Sequence, residues 1–401
     1  MDRTGSTILK YYLYQASVSF GFFTPIFTLF LLYRGLSYTQ IALLSTIYAV
    51  VTILGEIPTG YIGDRIGRRN CLIAGSVFMT LSIVGFAFAE SFLTLSGLYV
   101  LWAFSLMFRS GSADAWLYET LEDEIGGEYF TRIRGRATSV NSVVTIVTIF
   151  AGSVLYSINP ELPFLASGLL NTAGIPVLLS LPKNKQYTDT ETQDTFTIID
   201  ALPVIREYLT HPPLRSFVLY MALIFGTVLV SNEYIQPIAT FELGVPISAL
   251  GPLYAGFTAL SAIASYYAGE IRDHVGVRRI ALVVPCVVIA FLLAPVFAPV
   301  LAFPMFFVIK SSNTVMHPIA THYINDHAES VGRATILSAA SMVYAAIKLP
   351  LYLVGGVVAD AFSPIIAVAT LGGICLIGII VVSLWETPVG AENETVSGSA
   401  D

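Results

Sequence analysis

Long apolar segments recur along the whole chain, and they constrain its fold more than any other feature. Apolar residues make up 55% of the 401 positions and charged residues only 12%, against about 25% charged in soluble domains. Twelve segments are each long enough for a helix that crosses a hydrocarbon layer of about 30 Å. They run at about 8–32, 38–62, 70–89, 92–118, 136–158, 162–181, 213–240, 246–269, 279–298, 300–323, 334–358 and 363–385. The sequence therefore predicts an all-α polytopic membrane protein with twelve transmembrane helices.

The distribution of basic residues predicts the orientation of these spans. If the N-terminus is cytoplasmic, only Arg34 of the 20 Lys and Arg falls on an outer loop, while Arg109, Lys310 and Lys348 fall within spans. An excess of Lys and Arg marks cytoplasmic loops. We therefore expect a multi-pass protein of the cytoplasmic (inner) membrane with both termini cytoplasmic. The first apolar run is too long for a signal peptide, so we expect it to be retained.

One long polar stretch divides the spans into two groups of six. Its first part, from Lys183, is polar and predicted to be disordered. Apolar residues near helical spacing follow and indicate a surface helix that ends at Pro212-Pro213. The predicted domains are an N-terminal six-helix bundle at 1–181, a cytoplasmic linker with an amphipathic helix at 182–212, a C-terminal six-helix bundle at 213–386 and a disordered cytoplasmic tail at 387–401.

Two charged stretches interrupt the apolar segments at corresponding places in the two halves. Residues 60–70 read Gly-Tyr-Ile-Gly-Asp-Arg-Ile-Gly-Arg-Arg-Asn, and residues 269–279 read Gly-Glu-Ile-Arg-Asp-His-Val-Gly-Val-Arg-Arg. Charges of this density are costly in hydrocarbon, so both stretches are predicted to be short loops at the membrane surface. Four residues of the first stretch have an identical residue in the second, always at the same distance along the sequence. The pairs are Gly60 with Gly269, Asp64 with Asp273, Gly67 with Gly276, and Arg69 with Arg278.

Two further matches support a repeat. Gly-Arg-Ala-Thr occurs at 135–138 before the fifth span and at 332–335 before the eleventh, and Arg109-Ser110 has a counterpart in Lys310-Ser311. Such repeats are typical of transporters built from two parallel halves.

The paired stretches resemble the signature loop of the major facilitator superfamily of transporters, and the resemblance covers nearly the whole chain. It implies a prokaryotic twelve-span member with two pseudo-symmetric six-helix bundles. In that family the loop latches the halves on the cytoplasmic side and is broken during the inward-opening transition. The latch residues carried over are Gly60, Asp64, Arg65, Gly67, Arg68 and Arg69, with a weaker copy at Gly269, Asp273, Gly276 and Arg278. The alternative is that these charges serve topology alone.

A second group of charges lies deeper, in the second and fourth spans. A carboxylate at Glu56 costs a few kcal/mol unless it is paired, neutral or facing water. Counting along the helices places Asp114 at a comparable depth, Arg109 about one turn further in, and Glu119 toward the cytoplasm. Arg109-Ser-Gly also resembles the fourth-span arginine motif of the same superfamily. One hypothesis is proton coupling, with Asp114 or Glu56 titrating beside Arg109. The other is a permanent ion-paired strut between the two spans.

Polar residues elsewhere in the spans are candidates for a substrate cavity. Lys348 lies midway along the eleventh span, too central for its ammonium group to reach water easily. It faces a water-filled cavity, or else it pairs with a carboxylate or a helix end. The seventh span ends in a polar stretch with a helix-breaking proline, although Glu233 in that stretch lies close enough to the outer surface for interfacial solvation. The predicted cavity residues are Tyr14, Gln15, Ser19, Asn232, Gln236, Lys310 and Lys348.

Several classes of function are disfavoured. The sequence shows no phosphate-binding Gly-rich loop with Lys-Ser/Thr and no hydrolase or zinc-protease motif, so we expect neither nucleotide-driven pumping nor an enzyme. The three cysteines form no close pair and the histidines at 317, 322 and 327 do not share one helix face, so no metal or cofactor is expected. The net charge of −7 argues against a nucleic-acid partner.

The resemblance therefore implies a secondary active transporter, monomer-sized and embedded in the bilayer. It would move a small organic solute by alternating access, with energy from a proton or solute gradient, and protons are the expected coupled ion. The candidate cavity residues carry both signs of charge, so anionic, cationic and neutral solutes all stay open. The alternatives are a multidrug or metabolite exporter and a non-transporting sensor or lipid-handling protein of the same fold. The interpretation as a drug exporter is less favoured, because the fifth span lacks the Gly-Pro-x-x-Gly-Gly motif that is typical of drug–proton antiporters in this superfamily.

Overall fold

The computed structural model describes residues 3–183, 214–327 and 333–388, and these residues form helices without any strand. In the first part the helices are α1 (Arg3–Ser17), α2 (Phe27–Tyr33), α3 (Tyr38–Ile66), α4 (Arg68–Phe88), α5 (Phe92–Arg109), α6 (Ser112–Glu124), α7 (Phe130–Ile158) and α8 (Leu162–Leu179). In the remainder they are α9 (Leu214–Ser231), α10 (Ile247–Val275), α11 (Val277–Leu293), α12 (Ala302–His327), α13 (Arg333–Ala361) and α14 (Pro364–Trp385).

The chain divides into two compact units. The first consists of Met1–Thr195 with Gly244–Gly256, and the second of Phe196–Leu243 with Phe257–Asp401. The predicted bundle limits of 1–181 and 213–386 stay predictions. Most of the predicted linker at 182–212 and of the predicted tail at 387–401 lies outside the described residues.

Eleven helical stretches among the described residues are long and apolar enough to cross a membrane. They correspond to the second through twelfth predicted spans. The first predicted span, 8–32, is wrong as a single helix, because α1 ends at Ser17 and α2 begins only at Phe27. The fourth, 92–118, is also divided, because Gly111 adopts a left-handed backbone conformation (φ +70°) that separates α5 from α6.

Helix α7 stabilises the interruption in the first span. The Ser19 hydroxyl is hydrogen-bonded to the hydroxyls of Thr145, at 3.0 Å, and Thr148, at 3.1 Å. The Phe22 carbonyl oxygen lies so close to Gly152 that a Cβ atom at that position would overlap it. Irregular backbone at membrane depth is tolerated where protein surrounds it, and α7 provides these contacts.

The two predicted surface loops are much shorter than expected. Residues 60–66 complete α3 and residues 68–70 begin α4, so Gly67 alone separates the two helices. The second copy repeats this geometry: α10 ends at Val275, Gly276 follows, and α11 begins at Val277. The two glycines have almost the same backbone angles, φ 86° and ψ 149° at Gly67 and φ 83° and ψ 145° at Gly276. A glycine with positive φ reverses the chain within one residue, so its charged neighbours remain helical.

The core of the first unit lies where α1, α4, α6, α7 and α8 meet. Trp116 is fully buried, and its ring stacks on Tyr11 at 5.7 Å between centroids. Tyr14, Leu72 and Leu178 belong to the same apolar cluster. A second aromatic group surrounds Trp102, whose partners are Phe20, Phe23, Phe27, Tyr48, Phe86 and Tyr99.

The second unit is built around α9. In the span Leu214–Glu242, 78% of the apolar window is buried inside the protein, against 22–50% in the other candidate spans. Helix α9 packs against α12, α13 and α14. Polar residues on α9 and its continuation are therefore enclosed by protein, which determines where a site can form in this unit.

Candidate functional site

Three charged side chains come together in the second unit. The Glu233 carboxylate, just beyond the end of α9, interacts electrostatically with the ammonium groups of Lys310 in α12 and Lys348 in α13. Both lysines are partly buried within predicted membrane spans. A charge in a span costs a few kcal/mol unless it is paired or hydrated, so such clusters mark functional sites by default.

Close packing of α9 on α13 determines the position of Lys348. Gly226 of α9 lies against the backbone of Lys348, and Tyr234 lies against Gly355 further along. The two helices therefore run in the same direction, and Glu233 stands about two turns beyond the level of Gly226. The Lys348 ammonium group lies 5.9 Å from the ring centroid of Tyr352, one turn further along α13. The Lys348 side chain thus leans toward the level of Glu233.

The backbone that carries Glu233 departs from α-helical geometry. Helix α9 ends at Ser231 and continues as a 3₁₀ turn at Asn232–Tyr234, a short α segment at Ile235–Pro237 and a π-helical turn at Ile238–Glu242. The 3₁₀ turn contacts α12, the helix of Lys310. Such irregular turns inside helices are frequent at functional sites. The predicted interruption of the seventh span is present, and it begins before Pro237.

Buried hydrogen-bonding groups are found beside the three charges. Among the described residues, the hydroxyl groups of Ser231, Ser311 and Tyr344 are buried and have no hydrogen-bond partner. Ser231 precedes the turn that carries Glu233, Ser311 follows Lys310, and Tyr344 lies one turn before Lys348 on α13. The Tyr344 ring packs edge-on against Phe225, at 5.3 Å between centroids. Unsatisfied buried hydroxyls next to fixed charges are groups that a bound ligand can satisfy.

Of the other predicted cavity residues in this unit, Asn232 and Gln236 lie in the irregular stretch. Asn232 is partly buried and Gln236 is 5% exposed. Both lie within one turn of Glu233. Their role in a cavity stays a prediction.

In the first unit the predicted cavity residues are involved in packing. Tyr14 is 1% exposed within the apolar core. The Gln15 side chain donates a hydrogen bond to the Tyr11 hydroxyl at 2.9 Å, and the Gln15 backbone carbonyl accepts one from the Asn141 side chain at 2.8 Å. Ser19 is also 1% exposed and bonds to α7. These contacts hold the interrupted first span in place.

Two of the residues predicted to couple protons have partners of their own among the described residues, and the coupling role of the group stays a prediction. Asp114 accepts a hydrogen bond from Arg134 of α7 at 2.7 Å, and both side chains are about half exposed. Glu119 lies 3.9 Å from Arg68. One terminal nitrogen of Arg109 (Nη1) is buried without a hydrogen-bond partner in the described part of the chain. The side chain of Glu56 lies outside the described residues.

The arginines predicted to form the latch have different surroundings. Arg69 donates to the carbonyl of Leu181 at 2.8 Å and to that of Leu179 at 3.4 Å, at the end of α8. Arg65 and Arg278 are exposed. The structure describes only the backbone at Gly60, Asp64, Gly269 and Asp273, so their latch role stays a prediction.

Comparison with known proteins decides the family. A family model described as the Major Facilitator Superfamily matches residues 13–349. The chain belongs to this superfamily. It is 25% identical over 358 residues to "Uncharacterized MFS-type transporter YxaM" of Bacillus subtilis (strain 168), covering 86% of this chain and 87% of that one. It is 23% identical over 296 residues to "Uncharacterized MFS-type transporter YcaD" of Escherichia coli O6:K15:H31 (strain 536 / UPEC), covering 73% and 72% respectively.

Solved structures support the same fold. The nucleoside transporter NupG superposes with a TM-score of 0.76 at 10% identity, over 96% of this chain and 99% of its own. A bacterial homolog of the human lysosomal transporter Spinster, in an inward-facing and unoccupied conformation, gives 0.66 at 16% identity, over 95% and 94%. The predicted all-α major facilitator fold is confirmed, and these identities are too low to transfer a substrate.

The sequence of this superfamily member did not identify Glu233 as a charge that interacts with both lysines, or Arg134 as the partner of Asp114. Glu233 follows a long apolar span, where an interfacial position is an equally good explanation. Arg134 lies in a basic stretch with Arg132 and Arg136 that topology alone explains. The available signal was their helical spacing, because Arg132 and Arg136 share one face of α7 and Arg134 lies on the opposite face.

Proposed function

We propose that this protein is a secondary active transporter that carries a small organic solute across the cytoplasmic membrane by alternating access. Membership of the Major Facilitator Superfamily supports transport as the general activity. We further propose that the chain acts as a monomer, with both termini in the cytoplasm and with coupling to protons. Lipid and solute are then its partners, besides the coupled proton.

The cluster of Glu233, Lys310 and Lys348 is the observation that carries this proposal. Three charges within apolar spans reduce stability unless their interactions compensate for the lost hydration, and replacement of such groups by apolar ones is often neutral or stabilising. Three charges of this kind therefore contribute little if their role is only to stabilise the fold. A transporter gains a polar surface at membrane depth on which a solute can bind.

The chemistry of the same cluster supports the proposed coupling to protons. A carboxylate beside ammonium groups stays ionised. When those ammonium groups bind another anion instead, the carboxylate accepts a proton more readily. Solute binding and proton binding are thereby linked through shared partners. We propose this link as the source of energy for uphill transport.

Uptake into liposomes tests the proposed function. The purified protein is reconstituted with a trapped pH-sensitive dye, and pools of organic solutes are added outside. We expect at least one pool to move protons in wild type, and Lys348→Met to abolish that signal. Lys183→Met, at an exposed position beyond α8, is the matched control and keeps the signal. Solute binding without any flux of solute or protons would instead support a non-transporting sensor of the same fold.

A further inference from the structure

We propose that the transported solute is a small organic anion whose carboxylate binds Lys310 and Lys348 in place of Glu233. This inference rests on the proposed transport function and specifies the chemical class of its substrate. It concerns only the site formed by α9 with its continuation, α12 and α13 in the second unit.

The charge of the cluster is the first argument. Within the part of this unit that the structure describes, these two ammonium groups interact with one carboxylate, so this cluster of three carries a net charge of one positive. The other carboxylates with described side chains in this unit stand near helix ends: Glu242, Glu270, Asp326, Asp360 and Glu386. Glu386 is already paired with Arg215 at 2.9 Å. An excess positive charge at membrane depth favours an anionic ligand over a cation or a neutral solute.

The hydroxyl groups supply the second argument. An ionised carboxylate has about four lone-pair sites and accepts hydrogen bonds without donating any. The buried Ser311 and Tyr344 hydroxyls are donors without a partner among the described residues. In the sequence, Ser311 follows Lys310, and Tyr344 precedes Lys348 by one turn of α13. Together the lysines and hydroxyls match the needs of a carboxylate.

Aromatic side chains next to the lysines indicate an organic anion instead of an inorganic one. Phe225 packs against Tyr344 at 5.3 Å and against His317 of α12 at 6.0 Å between ring centroids. Gly226, the next residue of α9, lies against Lys348. A solute held by its carboxylate at the Lys348 ammonium group meets the ring of Tyr352, whose centroid is 5.9 Å away, and the Phe225–Tyr344 pair lies on the other side of Lys348 along α13. Inorganic anions gain nothing from that surface, whereas a carbon skeleton does.

Glu233 then acts as an internal competitor for the lysines. When the site is empty it provides their negative partner, and an arriving carboxylate replaces it. A purely structural ion cluster has no such exchange. Removal of the Glu233 charge therefore distinguishes the two explanations. It raises the affinity for anions if Glu233 competes with them, and it does not if the cluster is purely structural.

The test is ligand binding by the full-length protein in detergent, read from its thermal unfolding midpoint. The probes are a panel of mono- and dicarboxylates, each paired with its amide, together with chloride and inorganic phosphate. Ligands that bind the folded state raise the midpoint. We expect one or more carboxylates to raise it while their amides and the inorganic anions do not. Lys183→Met is the control and behaves as wild type.

Three variants then test the roles of the charges. Lys348→Met weakens carboxylate binding by about ten-fold or more, through loss of a charged hydrogen bond. Lys348→Arg keeps the charge and retains part of the affinity, which separates loss of binding from loss of folding. Glu233→Gln binds the same carboxylate about three-fold tighter or more, because the competing charge is gone.

The inference is wrong if no carboxylate binds, if amides bind equally well, or if Glu233→Gln binds no more tightly than wild type. Its failure is distinguishable from failure of the proposed function. Flux of a neutral or cationic solute in liposomes would refute the proposal of an anionic substrate while supporting the proposed transport function. Carboxylate binding without flux would support the anion site and refute transport.

Discussion

Arg69 shows how one residue of a charged motif can have a local structural role. Its guanidinium donates to the carbonyl of Leu179, the last residue of α8, and to that of Leu181 just beyond it. Lys10 donates to the Ser180 carbonyl and the Trp116 indole to the Pro182 carbonyl, each at 3.2 Å. Carbonyls at the end of a helix lack partners within the helix and favour cationic donors. Three donors from α1, α4 and α6 therefore cap α8 and join four helices of the first unit.

Substitution of Arg69 by alanine is expected to lower stability by about 1–2 kcal/mol, because two hydrogen bonds from a charged donor are lost. Thermal unfolding in detergent measures this change. Arg278→Ala is the matched control, since Arg278 occupies the aligned position of the second copy and is exposed. Equal losses in the two variants would contradict the capping role of Arg69.

The interrupted first span is the clearest feature at the scale of elements. The residues between α1 and α2 bond to α7 instead of continuing the helix, and Gly152 allows their backbone to approach. A small residue at such a contact lets two backbones meet closely. The non-helical segment therefore depends on α7, which lies more than a hundred residues away in the sequence.

Two glycines on α7 provide a matched test of this dependence. In Gly152→Ala the new methyl group meets the Phe22 carbonyl, so we expect a loss of about 1–3 kcal/mol from overpacking. At Gly135 no atom lies within 4 Å of the added methyl group. Gly135→Ala is therefore expected to be neutral or to gain up to about 1 kcal/mol from helix propensity. Equal thermal midpoints for the two variants would show that the close approach at Gly152 does not contribute to the stability of the fold.

The same contacts explain what the sequence could not predict. Pro25 lies inside the interruption and is a local signal for a break in the apolar run from 8 to 32. It does not explain why α1 ends as early as Ser17, whereas the hydrogen bonds of Ser19 with α7 do. The spans with continuous α-helices were predictable because length and apolarity determine them. The charged stretch at 60–70 predicted a boundary at the right place, yet a single glycine was enough to make the turn. The ion pairs join residues far apart in sequence, and no local pattern identifies such partners.

At the scale of the whole molecule, the superfamily signature is the basis for a latch at the end of α3. The prediction concerns Asp64, whose side chain is not among those described. Asp64→Asn is expected to leave the protein folded, with a thermal midpoint close to wild type, and to slow transport in liposomes. Flux equal to wild type in a well-folded Asp64→Asn variant would restrict the role of this motif to topology.

Accumulation of a labelled carboxylate in liposomes, with and without an inward proton gradient, tests the central claim most directly. Wild type and Lys183→Met are expected to accumulate the solute only when the gradient is present. Lys348→Met should neither accumulate nor exchange it, and Glu233→Gln should exchange it without accumulation, because the anion still binds while the proton-carrying carboxylate is gone. Accumulation by Lys348→Met at the wild-type rate would contradict the assignment of the site to the cluster of Glu233, Lys310 and Lys348.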